Sequence, residues 1–162
     1  MHDSVLAIDP GPVKTAYALV RRKDRHLYAF GICNNQELLQ RLEQLLPADV
    51  AIEMIASYGM AVGAEVFETC VWIGRIMQHL ESCGADNVSR IFRREVKIAM
   101  CGSMKAKDAN VRQAIIDSYQ TKQSTDVTKK GGPLYKVSKD VWAAIGVALT
   151  QVNKDEHDDK HD

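Results

Sequence analysis

The chain has 162 residues, 46% hydrophobic and 26% charged, with basic and acidic side chains in balance at a formal net charge of zero. That is the make-up of an ordinary soluble globular protein with one sizeable core, and it is too short for two comfortable domains. No apolar run reaches the roughly 18 residues of a membrane span, and MHDSVLAID lacks the basic region and cleavage pattern of a signal peptide. The four cysteines, Cys33, Cys70, Cys83 and Cys101, form no CxxC pair and no zinc spacing. They are assigned to packing in a protein of a reducing cytoplasm.

The first third reads as strands. SVLAID is a compact apolar run, TAYALVRR alternates, and HLYAFGI follows the charged break Arg21 to Arg25, as in hairpin connections. From Asn35 the period changes, and Leu38, Leu39, Leu42, Leu45 and Leu46 form one helical face closed by Pro47. DVAIEMI is a short buried strand, followed by the glycine-flanked loop ASYGMAVG. A long helix from Ala64 to about Ser82 carries a broad apolar stripe.

NVSRIFRR reads as a fifth strand and EVKIAMCG as a short helix ended by Gly102. AKDANVRQAIIDSY is a further helix with Asp108 as its cap. Residues 120 to 137 form a polar loop, SKDVWAAIGVALTQV is a final amphipathic helix capped by Ser138, and no internal repeat is visible. The acidic end, 153–162, reads as a disordered tail, and its His157 and His161 as part of that tail rather than as metal ligands. The order predicts an α/β fold, a five-stranded mixed sheet with helices on both faces, filling residues 1–152.

Three acids share a setting. Asp9 ends the first strand before Pro10 and Gly11, Glu53 ends the fourth, and Asp140 opens the last helix. Singly, each has an ordinary reading as a turn former, a salt-bridge partner or a helix N-terminal charge. If the first and fourth strands are neighbours, the three converge at one sheet edge, and gathered carboxylates repel unless a divalent cation sits between them. Hard oxygen donors at an open site suit Mg²⁺, with Mn²⁺ as a substitute.

The blocks AIDPGPVKTAYALV, VAIEMI, RREVKIAMCGSMKAKDANVRQAII and KDVWAAIGVALT, in that order over about residues 4 to 151, resemble RuvC-type Holliday junction resolvases of the ribonuclease H-like superfamily. SYGMAVGAEVFETCVWIGR looks more like the phage-encoded members. The resemblance implies a metal-dependent endonuclease that nicks opposing strands of a four-way DNA junction as a homodimer, through the helix 64–82. It places Asp9, Glu53 and Asp140 on the acidic metal ligands. The chain departs from the family where a second acid is usual three residues into the last helix, because Ala143 stands there. One ligand is then missing or supplied differently, with Asp108 or Lys139 as candidates to take part. A one-turn shift that makes Asp140 the second acid leaves Val137 at the first position, so either register keeps only one acid there.

The neutral total conceals a basic segment. Residues 90 to 139 hold twelve Lys or Arg against four acids, a formal +8, while 153–162 carry −3. A surplus of one sign favours a polyanionic partner, here four-way or branched DNA. The candidate contacts are Arg93, Arg94, Lys97, Lys105 and Lys107, with Lys129, Lys130 and Lys136 in a loop that orders on DNA. Tyr58, two residues after the point where the family carries a stacking aromatic, is a candidate wedge, with Met60 a lesser one; a loop tyrosine packed on the next helix is the alternative.

Three other classes stay open on the sequence. One is a nuclease on other branched DNA or RNA–DNA hybrids. Another is an actin-like phosphotransferase, suggested by Asp9-Pro10-Gly11 but needing a second lobe. The third is a junction-binding protein without cleavage.

Overall fold

The computed structural model describes residues 2–46, 49–85, 87–120, 126–158 and 160. The chain runs β1 (Ser4–Asp9), β2 (Lys14–Arg21), β3 (Leu27–Asn34), α1 (Asn35–Leu45), β4 (Asp49–Met54), α2 (Ala64–Ser82), β5 (Val88–Phe92), α3 (Arg93–Cys101), α4 (Asp108–Gln120) and α5 (Val141–Asp158). The strands form one sheet in the order β3-β2-β1-β4-β5. β1, β2 and β3 pair antiparallel, while β4 joins β1 in parallel and β5 joins β4 in parallel. The α/β expectation of a five-stranded mixed sheet therefore holds, and the pairing of β1 with β4 meets the condition under which Asp9 and Glu53 share an edge.

Strand alternation explains why both faces are covered. On β1, Val5 and Ala7 point to one layer with α3, α4 and α5, and Leu6 and Ile8 to the other with α1 and α2. Both sets are fully buried, so β1 is the central strand of a three-layer molecule. α5 lies across the first layer and is buried at ten positions from Val141 to Val152. A Cβ on Gly146 would stand 3.0 Å from Val96 Cγ1, which shows how closely α5 meets α3.

Several expectations are corrected. β5 ends at Phe92, so Arg93 and Arg94 open a helix and do not extend a strand. The Phe92 N–H donates to Glu95 Oε2 at 2.7 Å, which turns the chain directly from strand to helix. α4 starts on Asp108 itself, and α5 starts after Asp140, whose carbonyl accepts from the Ala144 N–H. Asp140, not Ser138, thus takes the cap position.

The end of the chain is helical through Asp158 rather than disordered from Asn153. Arg22 pairs with both Asp155 and Asp49, and Lys154 Nζ meets Glu95 Oε1 at 2.7 Å, so the charges of this segment have partners on the body. The loop before α5 is anchored without DNA, because Val127 and Leu134 are buried in the core and the Leu134 N–H donates to the Val127 carbonyl. Pro47 and His161 lie outside the described residues.

Candidate active site

The parallel pairing of β1 with β4 sets Ile8 beside Ile52, and the next residue of each strand is Asp9 and Glu53. Both acids therefore emerge at the carboxyl ends of adjacent parallel strands, the usual position of a site in an open α/β sheet. Asp140 approaches from the start of α5. Together they line a cleft of about 370 Å³ with Ala56, Tyr58, Arg93, Asp108 and Ala143.

The turn after Asp9 is built to hold it there. A Cβ on Gly11 would lie 2.4 Å from the Lys14 carbonyl oxygen, so only glycine fits so tight a return into β2. Buried Asn35 donates to the Gly11 carbonyl at 2.9 Å and accepts from the buried Thr15 hydroxyl at 2.7 Å. This bracket was not foreseen from the sequence. Its signal was faint: Thr15 lies near the start of β2 and Asn35 opens α1, and nothing in their spacing pairs them.

Electrostatics single out Asp9. Burial raises its pKa to about 9, helped by its hydrogen bond with Glu53 and by the Glu53 and Asp140 charges, while Arg93 pulls the other way. Asp9 therefore keeps its proton at neutral pH unless positive charge enters the cleft. Glu53 Oε1 is buried and lacks a hydrogen-bond partner within the protein. The donors are all oxygens, one is orphaned and another is held neutral against its ordinary behaviour, which fits a hard divalent cation. Asp140 is exposed and stands off: the oxygens of the three acids do not all lie within 4.8 Å of one another.

Arg93 is the resident cation. Its Nη2 donates to Asp108 Oδ1 at 2.6 Å, and its Nη1 stands 3.5 Å from Glu53 Oε1 as a contact ion pair. Nη1 is itself buried without a hydrogen-bond partner in the protein. Burial works against the charge, but the bond to Asp108 and the charges of Glu53, Asp108 and Asp9 outweigh it and hold the guanidinium above its ordinary value. Arg93, read from the sequence as a DNA contact, is thus inside the acidic cleft. Asp108, read as a helix cap, faces Arg93 instead.

The remaining candidates frame the cleft. Tyr58 lines it and is 57% exposed. Tyr58 and Gly59, both at positive φ, are the central residues of a turn closed by the Met60 N–H to the Ser57 carbonyl. The Arg94 guanidinium stands 5.9 Å from the centre of the Tyr58 ring. Lys97 is carried by α3, Lys105 and Lys107 by the exposed segment leading into Asp108, and Lys130 and Lys136 by the segment leading into Asp140. None of these lysines lines the cleft itself. Lys139 adopts a positive φ of 48° immediately before Asp140, a strained conformation for a side-chain-bearing residue. A larger groove of about 910 Å³ between α3 and α5 holds the paired Glu95 and Lys154 and gathers none of these acids.

No protein-family model matches the sequence, and no curated protein matches it. Solved structures do. The RuvC of Thermus thermophilus in complex with a Holliday junction substrate aligns at a TM-score of 0.73 with 18% identity, over 97% of this chain and 97% of that one. A second T. thermophilus RuvC structure gives 0.69 and 17%, over 95% and 96%. The yeast mitochondrial Holliday junction resolvase Ydc2 gives 0.55 and 11%, over 94% and 80%. The chain therefore has the ribonuclease H-like fold of RuvC-type resolvases along almost its whole length.

Proposed function

We propose that the protein is a divalent-metal-dependent endonuclease that resolves four-way or other branched DNA by paired nicking, acting as a homodimer. The observation that carries this reading is the cleft at the carboxyl end of β1 and β4 that Asp9 and Glu53 share and Asp140 also lines. It lies on a fold shared with a RuvC bound to a Holliday junction substrate and with the yeast mitochondrial Holliday junction resolvase Ydc2.

In this reading Asp9 and Glu53 are the inner metal ligands and Asp140 the outer one. Held by these acids, Mg²⁺ or Mn²⁺ would supply the positive charge that acidifies water and stabilises a departing 3′ oxygen. This chain's residues do the rest. Asp9 would release its proton to solvent as the site is loaded. Arg93 turns its unpartnered Nη1 toward the scissile phosphate, a charge-assisted contact that also fixes the backbone's register. Asp108, released from Arg93, stands at the mouth of the same cleft and supplies the carboxylate that Ala143 does not.

Tyr58 stacks on an unpaired base at the junction, with Arg94 over its other side. Lys97, Lys105, Lys107, Lys130 and Lys136 contact phosphates along the arms. The α2 face bearing Phe67 and Val71, 62% and 56% exposed, is the surface for the second copy.

The test is cleavage of labelled four-way junction and linear duplex, with Mg²⁺ or EDTA, beside Asp9→Asn. Paired nicks on the junction, lost in EDTA and in the variant, are expected. Tight junction binding without nicks under any divalent ion would overturn the enzyme reading in favour of a binding protein. Cleavage confined to RNA–DNA hybrid would overturn the substrate.

A further inference from the structure

A second cluster of ligand-type side chains lies on the opposite layer, where α1 packs on α2. Glu43 of α1, His79 of the last turn of α2 and Cys83 at its C-cap bring one ligand atom each within 4.8 Å of one another. His79 Nε2 stands 3.5 Å from Glu43 Oε1 and 3.5 Å from Cys83 Sγ. Zinc bonds of about 2.0–2.3 Å at tetrahedral angles put neighbouring ligand atoms roughly 3.3–3.6 Å apart. The two measured edges already have that length.

We propose that Glu43, His79 and Cys83 form a zinc-type site, separate from the acidic cleft. The chemistry selects the ion. A thiolate and an imidazole favour Zn²⁺ over Mg²⁺ or Mn²⁺, whereas the cleft offers oxygen alone. The backbone supports it in two ways. His79 and Cys83 are four residues apart, and the Cys83 N–H donates to the His79 carbonyl at 3.0 Å, so helical geometry holds both on one face. The site also lies at the C-terminal end of the 19-residue α2, the end of a helix that attracts cations.

Binding forms bonds from the metal to Sγ, Nε2 and Oε1 and releases the Cys83 thiol proton to solvent. His79 presents Nε2 to both neighbours, so its ring proton resides on Nδ1 in the loaded site. Three protein ligands leave a fourth position for water. The ion would tie the end of α2 to α1 and take Cys83 out of thiol chemistry. Sequence spacing could not show this site, because Glu43 is brought in by packing from another helix.

The experiment uses the full chain carrying Asp9→Asn, so that the cleft's chemistry and the activity play no part in the readout. Co²⁺ is titrated in excess Mg²⁺, and the thiolate-to-cobalt charge-transfer absorption is followed, with Zn²⁺ as competitor. One equivalent should bind with a tetrahedral spectrum, and Zn²⁺ should displace it and raise the melting temperature by about 2–6 °C. Cys83→Ser should abolish the absorption and His79→Gln should weaken binding by more than about tenfold, while Cys70→Ser leaves both unchanged. Circular dichroism and the metal-free melting temperature establish that each variant is folded. No charge-transfer band, or a band that persists in Cys83→Ser, would overturn the site and leave the three residues as an ordinary surface hydrogen-bond cluster.

Discussion

The carboxyl edge of the sheet and the α1–α2 layer each carry a cluster of potential ligands, and the clusters differ in what holds them together when no ion is bound. In the cleft, acids are stacked at the ends of parallel strands, and the structure opposes their charge with one guanidinium and one retained proton. Between α1 and α2, the ligands are a carboxylate, an imidazole and a thiol that already satisfy one another by contact. The first arrangement stores repulsion that a hard cation relieves; the second stores little and is selective through donor softness.

The largest expected effect separates the two outright. Asp9→Asn removes the inner ligand of the cleft and should lower junction cleavage by about a thousandfold or more, a loss typical of a group central to transition-state charge stabilisation. The same substitution should leave cobalt binding at Glu43, His79 and Cys83 unchanged. If both activities fall together, the two clusters are not independent.

Arg93 offers a finer cut. It now neutralises Glu53 and Asp108, so it competes with a divalent ion for the same charges. Arg93→Gln should therefore tighten Mg²⁺ binding several-fold while reducing maximal cleavage by about 10–100-fold, because the phosphate loses its charged donor. Titrations of metal binding and of rate against Mg²⁺ concentration would show the split. A fall in both would mean that Arg93 mainly keeps the cleft in shape.

How much of this was legible in the residues depends on range. The strand and helix order follows from local periodicity, and Asp9 and Glu53 stand out by their position at strand ends, but the pairing of β1 with β4 that joins them is non-local and entered the sequence reading only as a condition. Arg93 was legible as a basic residue but not as the cleft's counter-ion. That role depends on β5 stopping at Phe92 so that α3 aims the side chain inward. The helical end of α5 was missed because Asn153 to Asp158 is polar in isolation. Its partners Arg22, Arg25 and Glu95 lie far away in the chain. His79 and Cys83 stand four residues apart, but the third ligand had no sequence signal, because Glu43 is brought in by packing of α1 on α2.

A smaller effect reads the stored repulsion as stability. Asp9 has a folded pKa near 9 against an ordinary value of 3.8, so the metal-free folded state binds a proton that the unfolded chain has lost. Stability of the metal-free protein should therefore fall as pH rises between those values, and level off above them. Asp9→Asn should remove most of that slope and raise stability near pH 8 by about 1–3 kcal/mol, a gain characteristic of a strained functional site. Chemical denaturation in EDTA across pH 5 to about 9 measures it. A flat wild-type profile would mean that the cleft is solvated well enough to ionise freely.

The smallest effect concerns Glu43, whose side chain is 62% exposed. An exposed pair of this kind contributes at most about 0.5 kcal/mol, since water screens it and both side chains lose freedom in making it. Glu43→Gln should therefore leave the metal-free melting temperature almost unchanged. In Zn²⁺ the same variant should lose part of the stabilisation seen in the parent, because a neutral amide is a poorer ligand than a carboxylate. That difference between two conditions, rather than either melting temperature alone, isolates the ligand role from the surface contact. An equal small shift with and without Zn²⁺ would mean that Glu43 only accompanies His79. The comparison would then reduce to one loaded cleft and one ordinary helix contact.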